Sequence, residues 1–131
     1  MTTRSARRNP RQTTRSDRGS AAEREALRYL EARGLETLAR NFRCRLGELD
    51  LVMRDGDCLV FVEVRFRAGN FVAPALSVDG RKQRKLVQAA GLYLSRKPRL
   101  ADMPVRFDVI SVERAPDARG RIQWIRDAFR V

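Results

Sequence analysis

Two runs of alternating apolar residues on either side of a tight-turn signal constrain this chain more than any other feature. Leu49-Asp50-Leu51-Val52-Met53 and Cys58 to Phe66 read as strands, and Asp55-Gly56 between them is a strong hairpin dipeptide. A two-residue type I′ loop at Asp55-Gly56 sets Arg54 against Asp57, Glu48 against Glu63 and Asp50 against Phe61. One face then gathers Leu49, Leu51, Met53, Val60, Val62 and Val64, and is expected to lie on the core. The other gathers Glu48, Asp50, Val52, Leu59, Phe61, Glu63 and Arg65, apolar at one end and charged at the other. A slip of one residue would mix the two sets, so the pattern specifies which side chains share a face.

The remaining elements follow from periodicity and punctuation. Ser20 is a candidate helix N-cap, with Glu23 completing a capping box; Ala22, Ala26, Tyr29 and Leu30 keep helical spacing, and Gly34 stops the run. Leu35 to Arg43 reads as a short strand, Ala68 to Asp79 as a loop long enough to gate a site, and Gly80 to Arg96 as a helix ended by Pro98. Leu86, Ala89, Ala90, Tyr93 and Leu94 form that helix's apolar stripe. Val105 to Val112 is a strand, 116–120 a turn and Ile122 to Ile125 an edge strand, with Trp124 and Phe129 as core anchor and edge cover. Arg106 and Asp108 are expected to alternate outward as a strand-edge ion pair. The order α-β-β-β-α-β predicts a layered α/β fold.

Composition narrows the chemistry. The 131 residues suit one domain, carry a formal +12, and contain no His and two Cys. Imidazole catalysis, zinc ribbons and disulfide frameworks are excluded, and Cys44 and Cys58 read as reduced and structural. No apolar run approaches a membrane span and no signal-peptide core is visible, which predicts a soluble cytoplasmic protein. Residues 1–18 hold six Arg and one Asp with almost nothing apolar, and read as a disordered tail before a single domain over 19–131. Within that domain Gly80-Arg81-Lys82-Gln83-Arg84-Lys85 sets four cations at a helix start. The helix dipole disfavours cations there without an anion nearby, so Arg81, Lys82, Arg84 and Lys85 are expected to meet a nucleic-acid backbone. RNA or ribosome association would rest on charge alone. Aromatic content of 7% argues against a base-stacking platform.

The acids at the hairpin's charged end need compensation. Glu48, Asp50 and Glu63 crowd one region, where facing like charges cost up to about 1 kcal/mol. A hard divalent cation satisfies them, since Mg²⁺ needs only one or two carboxylates besides water and phosphate. Salt bridges to Arg45, Arg65 or Arg67 satisfy them equally well on spacing alone. Glu23 likewise has two readings, helix cap or a further acid over the sheet.

Taken in order, Gly19-x-x-x-Glu23-x-x-Ala26-x-x-Tyr29-Leu30, Gly34, Asn41-Phe42-Arg43, Gly47-Glu48-Leu49-Asp50-Leu51-Val52, Val60-Phe61-Val62-Glu63-Val64-Arg65, Lys82 and Arg106-Phe107-Asp108-Val109 resemble the YraN-like family over about residues 19–131. These small bacterial proteins are grouped with restriction-endonuclease-like nucleases. The resemblance implies a PD-(D/E)xK-type αβββαβ core with a mixed central sheet flanked by helices, similar to archaeal Holliday-junction resolvases. It implies a metal-dependent DNA endonuclease, with branched or damaged DNA in repair or recombination among its candidate substrates. Glu23 would be the helix acid, Asp50 and Glu63 the ligands of Mg²⁺ or Mn²⁺, and Arg65 the third-motif residue. Arg65 departs from the usual Lys: it stays protonated and cannot be a base, but it can hold a phosphate bidentately. Arg67 and Lys82 are substitutes for that Lys, and Arg67 is counted with the DNA contacts. The alternative is a nucleic-acid-binding module that kept the fold and lost useful catalysis. A homodimer is expected by analogy with resolvases acting on two-fold-symmetric junctions.

Overall fold

The computed structural model describes residues 15–68, 78–114 and 120–130, with side chains at 15–19, 67, 68, 114 and 120 outside that description. Residues 1–14, and with them most of the expected tail, lie outside the described residues, as do 69–77 of the expected gating loop and 116–119 of the expected turn. The elements are α1 (Arg15–Ala32), β1 (Glu36–Cys44), β2 (Gly47–Asp55), β3 (Cys58–Ala68), α2 (Gly80–Ser95), a 3₁₀ turn (Pro98–Leu100), β4 (Val105–Arg114) and β5 (Gly120–Phe129). The sheet runs β1-β2-β3-β4-β5, with β3 and β4 parallel and every other neighbour antiparallel. This is the mixed sheet and αβββαβ order that the sequence predicts, and the edge strand expected at Ile122 to Ile125 is β5, longer at both ends. Among the described residues no helix is long and apolar enough to cross a membrane.

Each helix covers one face of the sheet. Ala22, Ala26 and Leu30, spaced by four, seat α1 on Leu51, Met53, Val60, Val62, Ile110 and Val112. Leu86, Ala89, Ala90 and Tyr93 seat α2 on the opposite face, against Leu49, Val52, Leu59, Phe61, Phe107 and Val109. The sheet is thus flanked by helices on both faces, as expected, and α2 covers the apolar end of the face that also carries the charged residues. Gly34 ends α1 as the spacing predicts: at φ +95° it lets its own N–H reach Glu31 O and the Leu35 N–H reach Leu30 O. That pair of bonds is a Schellman motif, with buried Leu30 and Leu35 as its apolar contact.

Four local expectations are corrected. Helix α1 starts at Arg15, so residues 15–18 are helical and Ser20 lies inside the helix; the capping box of Ser20 and Glu23 does not exist. The hairpin turns at Gly56-Asp57, pairing Asp55 with Cys58 and Val52 with Phe61, two residues from the expected register. Gly56 alone of the two has positive φ, +60°, the pattern of a type II′ turn. A shift of two preserves which residues share a face, so the hydrophobic pattern could not reveal it. Leu49 also changes sides: it joins Val52 in the α2 core while Leu51 stays with α1. Finally, Arg106 and Asp108 do pair, but inward and on an internal strand. Asp108 is 1% exposed and holds Arg106 Nε at 3.0 Å, Trp124 Nε1 at 3.0 Å and the Asp127 N–H at 2.9 Å.

Two glycines make opposite demands. A Cβ on Gly47 would lie 3.0 Å from the Lys85 carbonyl oxygen, so the backbones of β2 and α2 approach this closely only because that position has no side chain. A Cβ on Gly91, in the interior of α2, would meet nothing within 4 Å. Urea unfolding should show Gly47→Ala less stable by about 1–3 kcal/mol and Gly91→Ala more stable by about 0.5–1 kcal/mol. A neutral Gly47→Ala would mean that α2 does not bear on β2 there.

Candidate active site

The site forms where the central hairpin comes apart. Pairing of β2 with β3 begins at Leu51 and Val62, and the β1–β2 register passes from Arg40↔Leu51 to Phe42↔Leu49, skipping Asn41 and Asp50. Asn41 sits there in the left-handed region, φ +54°, a conformation Asn tolerates better than most residues. The pleat loses its alternation at that point. Asn41 bonds to Glu23 of α1 and Leu51 packs in the α1 core, while Phe42 and Leu49 belong to the α2 core. In place of a ladder bond, the Val64 N–H donates to the Asp50 carboxylate at 2.8 Å.

Four elements bring charge to this gap. Glu23 arrives from α1 and shares a hydrogen bond with the Asn41 side chain; burial and nearby Glu48 raise its pKa, against Asn41, Arg40 and Arg43. Glu63, 9% exposed, alternates with Val62 and Val64 and so belongs to the α2 side. Lys82 meets it there, Nζ to Oε2 at 3.3 Å. Asp79 caps α2 by accepting the Lys82 N–H at 2.9 Å, which holds the backbone beneath that side chain. Glu48 stands at the rim, bonded to Arg43 at 3.2 Å.

Asp50 lies between these groups. Burial pushes its carboxyl up to about 8, with Glu63 adding to the rise, the Val64 N–H opposing it, and Glu23 and Glu48 contributing less. The predicted ligands Asp50 and Glu63 are thus neighbours, as the sequence reading requires, though Glu48 and not Asp50 was expected opposite Glu63. Glu23 and Glu63 approach from opposite faces and both act on Asp50, which the single-face reading missed. Arg65 is half-buried in β3, opposite Ser111 of β4. The side chain of Arg67 lies outside the described residues. Arg81, Arg84 and Lys85 are exposed along α2, whereas Lys82 turns to the acids. The sequence reading passed over Asn41 as a working residue; a polar residue able to adopt a left-handed conformation inside a strand was the available signal.

The donor set suits a hard divalent cation. All its atoms are carboxylate oxygens, and the repulsion that raises Asp50 is what a cation between Asp50 and Glu63 relieves. Among the described residues no three or more acidic, Cys or His side chains form a ready metal cage. The fit is that of a carboxylate pair completed by water and phosphate, as Mg²⁺ commonly takes.

Residues 22–112, which include Glu23, Asn41, Asp50, Glu63 and Lys82, match the uncharacterised protein family UPF0102. The chain belongs to that family. It is similar to a UPF0102 protein of Pseudomonas putida strain GB-1, 51% identical over 112 residues that cover 85% of this chain and 91% of the relative. A UPF0102 protein of Xanthomonas campestris pv. campestris strain B100 is 52% identical over 118 residues, covering 89% and 94%.

The raised Asp50 pKa makes the stability of this UPF0102 chain depend on pH. Folded, Asp50 keeps its proton up to about pH 8, whereas in the unfolded chain it loses it near 4. Between those values the folded state binds the extra proton, so this group's contribution to stability falls as pH rises. In thermal melts with chelator, Asp50→Asn should stabilise the protein, by more at pH 9 than at pH 5. Mn²⁺ should raise the wild-type melting temperature more at pH 8.5 than at pH 6, because a ligating carboxylate must first lose its proton. A gain from Asp50→Asn that is flat with pH would contradict this electrostatic account.

Proposed function

We propose that this protein is a divalent-metal-dependent DNA endonuclease of the PD-(D/E)xK kind, with Asp50 and Glu63 holding Mg²⁺ or Mn²⁺. What carries the reading is the meeting of Asp50 and Glu63, from two strands that part, with Glu23 from one helix and Lys82 from the other. When bound, the metal would lower the pKa of a water and stabilise negative charge on the scissile phosphate. Glu23, steadied by Asn41, adds negative field beside Asp50 and favours retention of a cation.

Lys82 supplies the ammonium that the nuclease motif usually draws from the position of Arg65. Its side chain is half exposed beside Glu63, within reach of a phosphate presented from solvent. Arg65 remains charged at any working pH and serves to hold phosphate oxygens. The substrate class is DNA in the cytoplasm, with branched or damaged DNA as the favoured forms and a homodimer as the expected partner state for a two-fold-symmetric junction.

Labelled linear, single-stranded and four-way-junction DNA, incubated with Mn²⁺ or Mg²⁺, tests the reading. Wild type should cut in a metal-dependent manner, and Asp50→Asn, Glu63→Gln and Lys82→Met should each lower the rate by at least about 100-fold, roughly 2.7 kcal/mol of barrier. DNA affinity should survive the two carboxylate changes or rise, since each removes an acid near phosphate, whereas Lys82→Met should also weaken binding modestly. Binding without cutting, or cutting that survives both carboxylate changes, would favour the binding module that kept the fold and lost catalysis.

A further inference from the structure

Between Asp79 and Asp102 the chain carries seven cations and no acid, although 16 acids occur in the whole sequence. Four of the seven stand at the N-terminal end of α2. The other three, Arg96, Lys97 and Arg99, stand at its far end and in the 3₁₀ turn beyond. Lys82 alone among the seven has an ion pair within the described residues. The distal three surround a cleft of about 400 Å³ together with Leu38, Tyr93 and Leu100. Two of them lie over aromatic rings: the Arg96 guanidinium lies 5.7 Å from the Phe42 ring centre, and the Lys97 ammonium 5.9 Å from that of Tyr93. Three exposed cations thus stand together, and among the described residues none of them makes an ion pair.

Helix α2 has 16 residues and is about 24 Å long, so the two basic groups stand roughly 20 Å apart. At 3.4 Å per base pair that is about six base pairs of a duplex. The exposed positions between them are Gln88, Gly91 and Ser95, small or neutral, with open space above Gly91. An apolar membrane anchor does not fit this surface. Val105, 39% exposed and on β4, is the one exposed large hydrophobic side chain among the described residues, whereas interfacial helices need an apolar face.

We infer that Arg96, Lys97 and Arg99 form a second phosphate-binding site, which together with Arg81, Arg84 and Lys85 clamps the backbone of duplex DNA along α2. The inference rests on the DNA reading above but not on cleavage. The proximal cations lie beside the carboxylate site and bring the strand to it; the distal site sets the duplex direction by holding it about six base pairs away.

Equilibrium binding of a fluorescent 20-base-pair duplex, in chelator so that no metal-dependent cutting intervenes, tests it across a salt series. The variant Arg96→Gln/Lys97→Gln/Arg99→Gln should bind about 10-fold or more weakly at 100 mM salt, and its slope of log affinity against log salt should be shallower by about 2.7, at 0.9 per phosphate contact. The control Arg28→Gln/Arg33→Gln/Arg126→Gln removes the same charge from exposed positions outside α2, and should lose less than about 3-fold with little change of slope. Equal losses in the two variants, an unchanged slope in the distal one, or no wild-type binding would overturn the inference. So would distal-variant loss of binding to vesicles rich in anionic lipid with no loss on DNA. A wild-type chain that binds through this surface and never cuts would end the nuclease reading and leave the clamp standing.

Discussion

One hydrogen bond, from the Val64 N–H to the Asp50 carboxylate, holds the arrangement on which the candidate site depends. Strands in the middle of a sheet ordinarily give every backbone N–H to a neighbour, and a buried one left over is costly. Here β2 and β3 part beyond Leu51 and Val62, and the aspartate takes the place of the missing ladder partner. In a continuous sheet Glu23 and Glu63, on opposite faces, would be screened from each other by the strands. The parting makes Asp50 the point where both are felt. Asn41 is its counterpart on β1: its left-handed backbone absorbs the break in the pleat and its side chain steadies Glu23.

Each acid of the group is handled by a different device. Glu48 has Arg43, Glu63 has Lys82, and Glu23 has Asn41 with the fields of Arg40 and Arg43. Asp50 has one N–H and a retained proton. Without an added cation the cluster therefore carries less negative charge at neutral pH than four carboxylates suggest, which explains how the fold tolerates it. A divalent cation would exchange with the Asp50 proton, coupling occupancy of the site to pH.

The layered α/β order, both helices and the central hairpin were legible in the sequence because each carries its own period or punctuation. Gly34 announced the end of α1, and Leu86, Ala89, Ala90 and Tyr93 announced the face of α2. Whatever preserved the pattern was not legible. A register two residues away keeps every side chain on its face, so the turn at Gly56-Asp57 was indistinguishable from one at Asp55-Gly56. The early start of α1 at Arg15 was hidden by a run so polar that it reads as tail. Asp50 and Glu63 were found from charge crowding and family likeness. That they meet across a split, with Glu23 and Lys82 coming from opposite faces, needed the tertiary placement of two helices that no local pattern encodes.

The two buried aspartates of the sheet show why Asp50 reads as a site and Asp108 as scaffold. Asp108 accepts both Nε and Nη2 of Arg106, the Trp124 indole N–H and the Asp127 backbone N–H, and Arg106 also reaches Asp55 at 3.0 Å. Its oxygens are saturated by donors and its charge is matched by a guanidinium, so a ligand would have to displace existing bonds to bind. That cluster ties the start of β4 to the β2 hairpin and to β5, a structural task on which loss of one partner would leave a buried charge uncompensated. Among the described residues Asp50 has the reverse surroundings: one donor, no cation of its own, and carboxylates as its principal charged neighbours. Folding leaves that imbalance in place at a gap in the sheet, next to Glu63 and its partner Lys82. A buried acid kept short of donors is stabilised by what binds to it, and a divalent cation with a phosphate answers both the missing charge and the nearby ammonium.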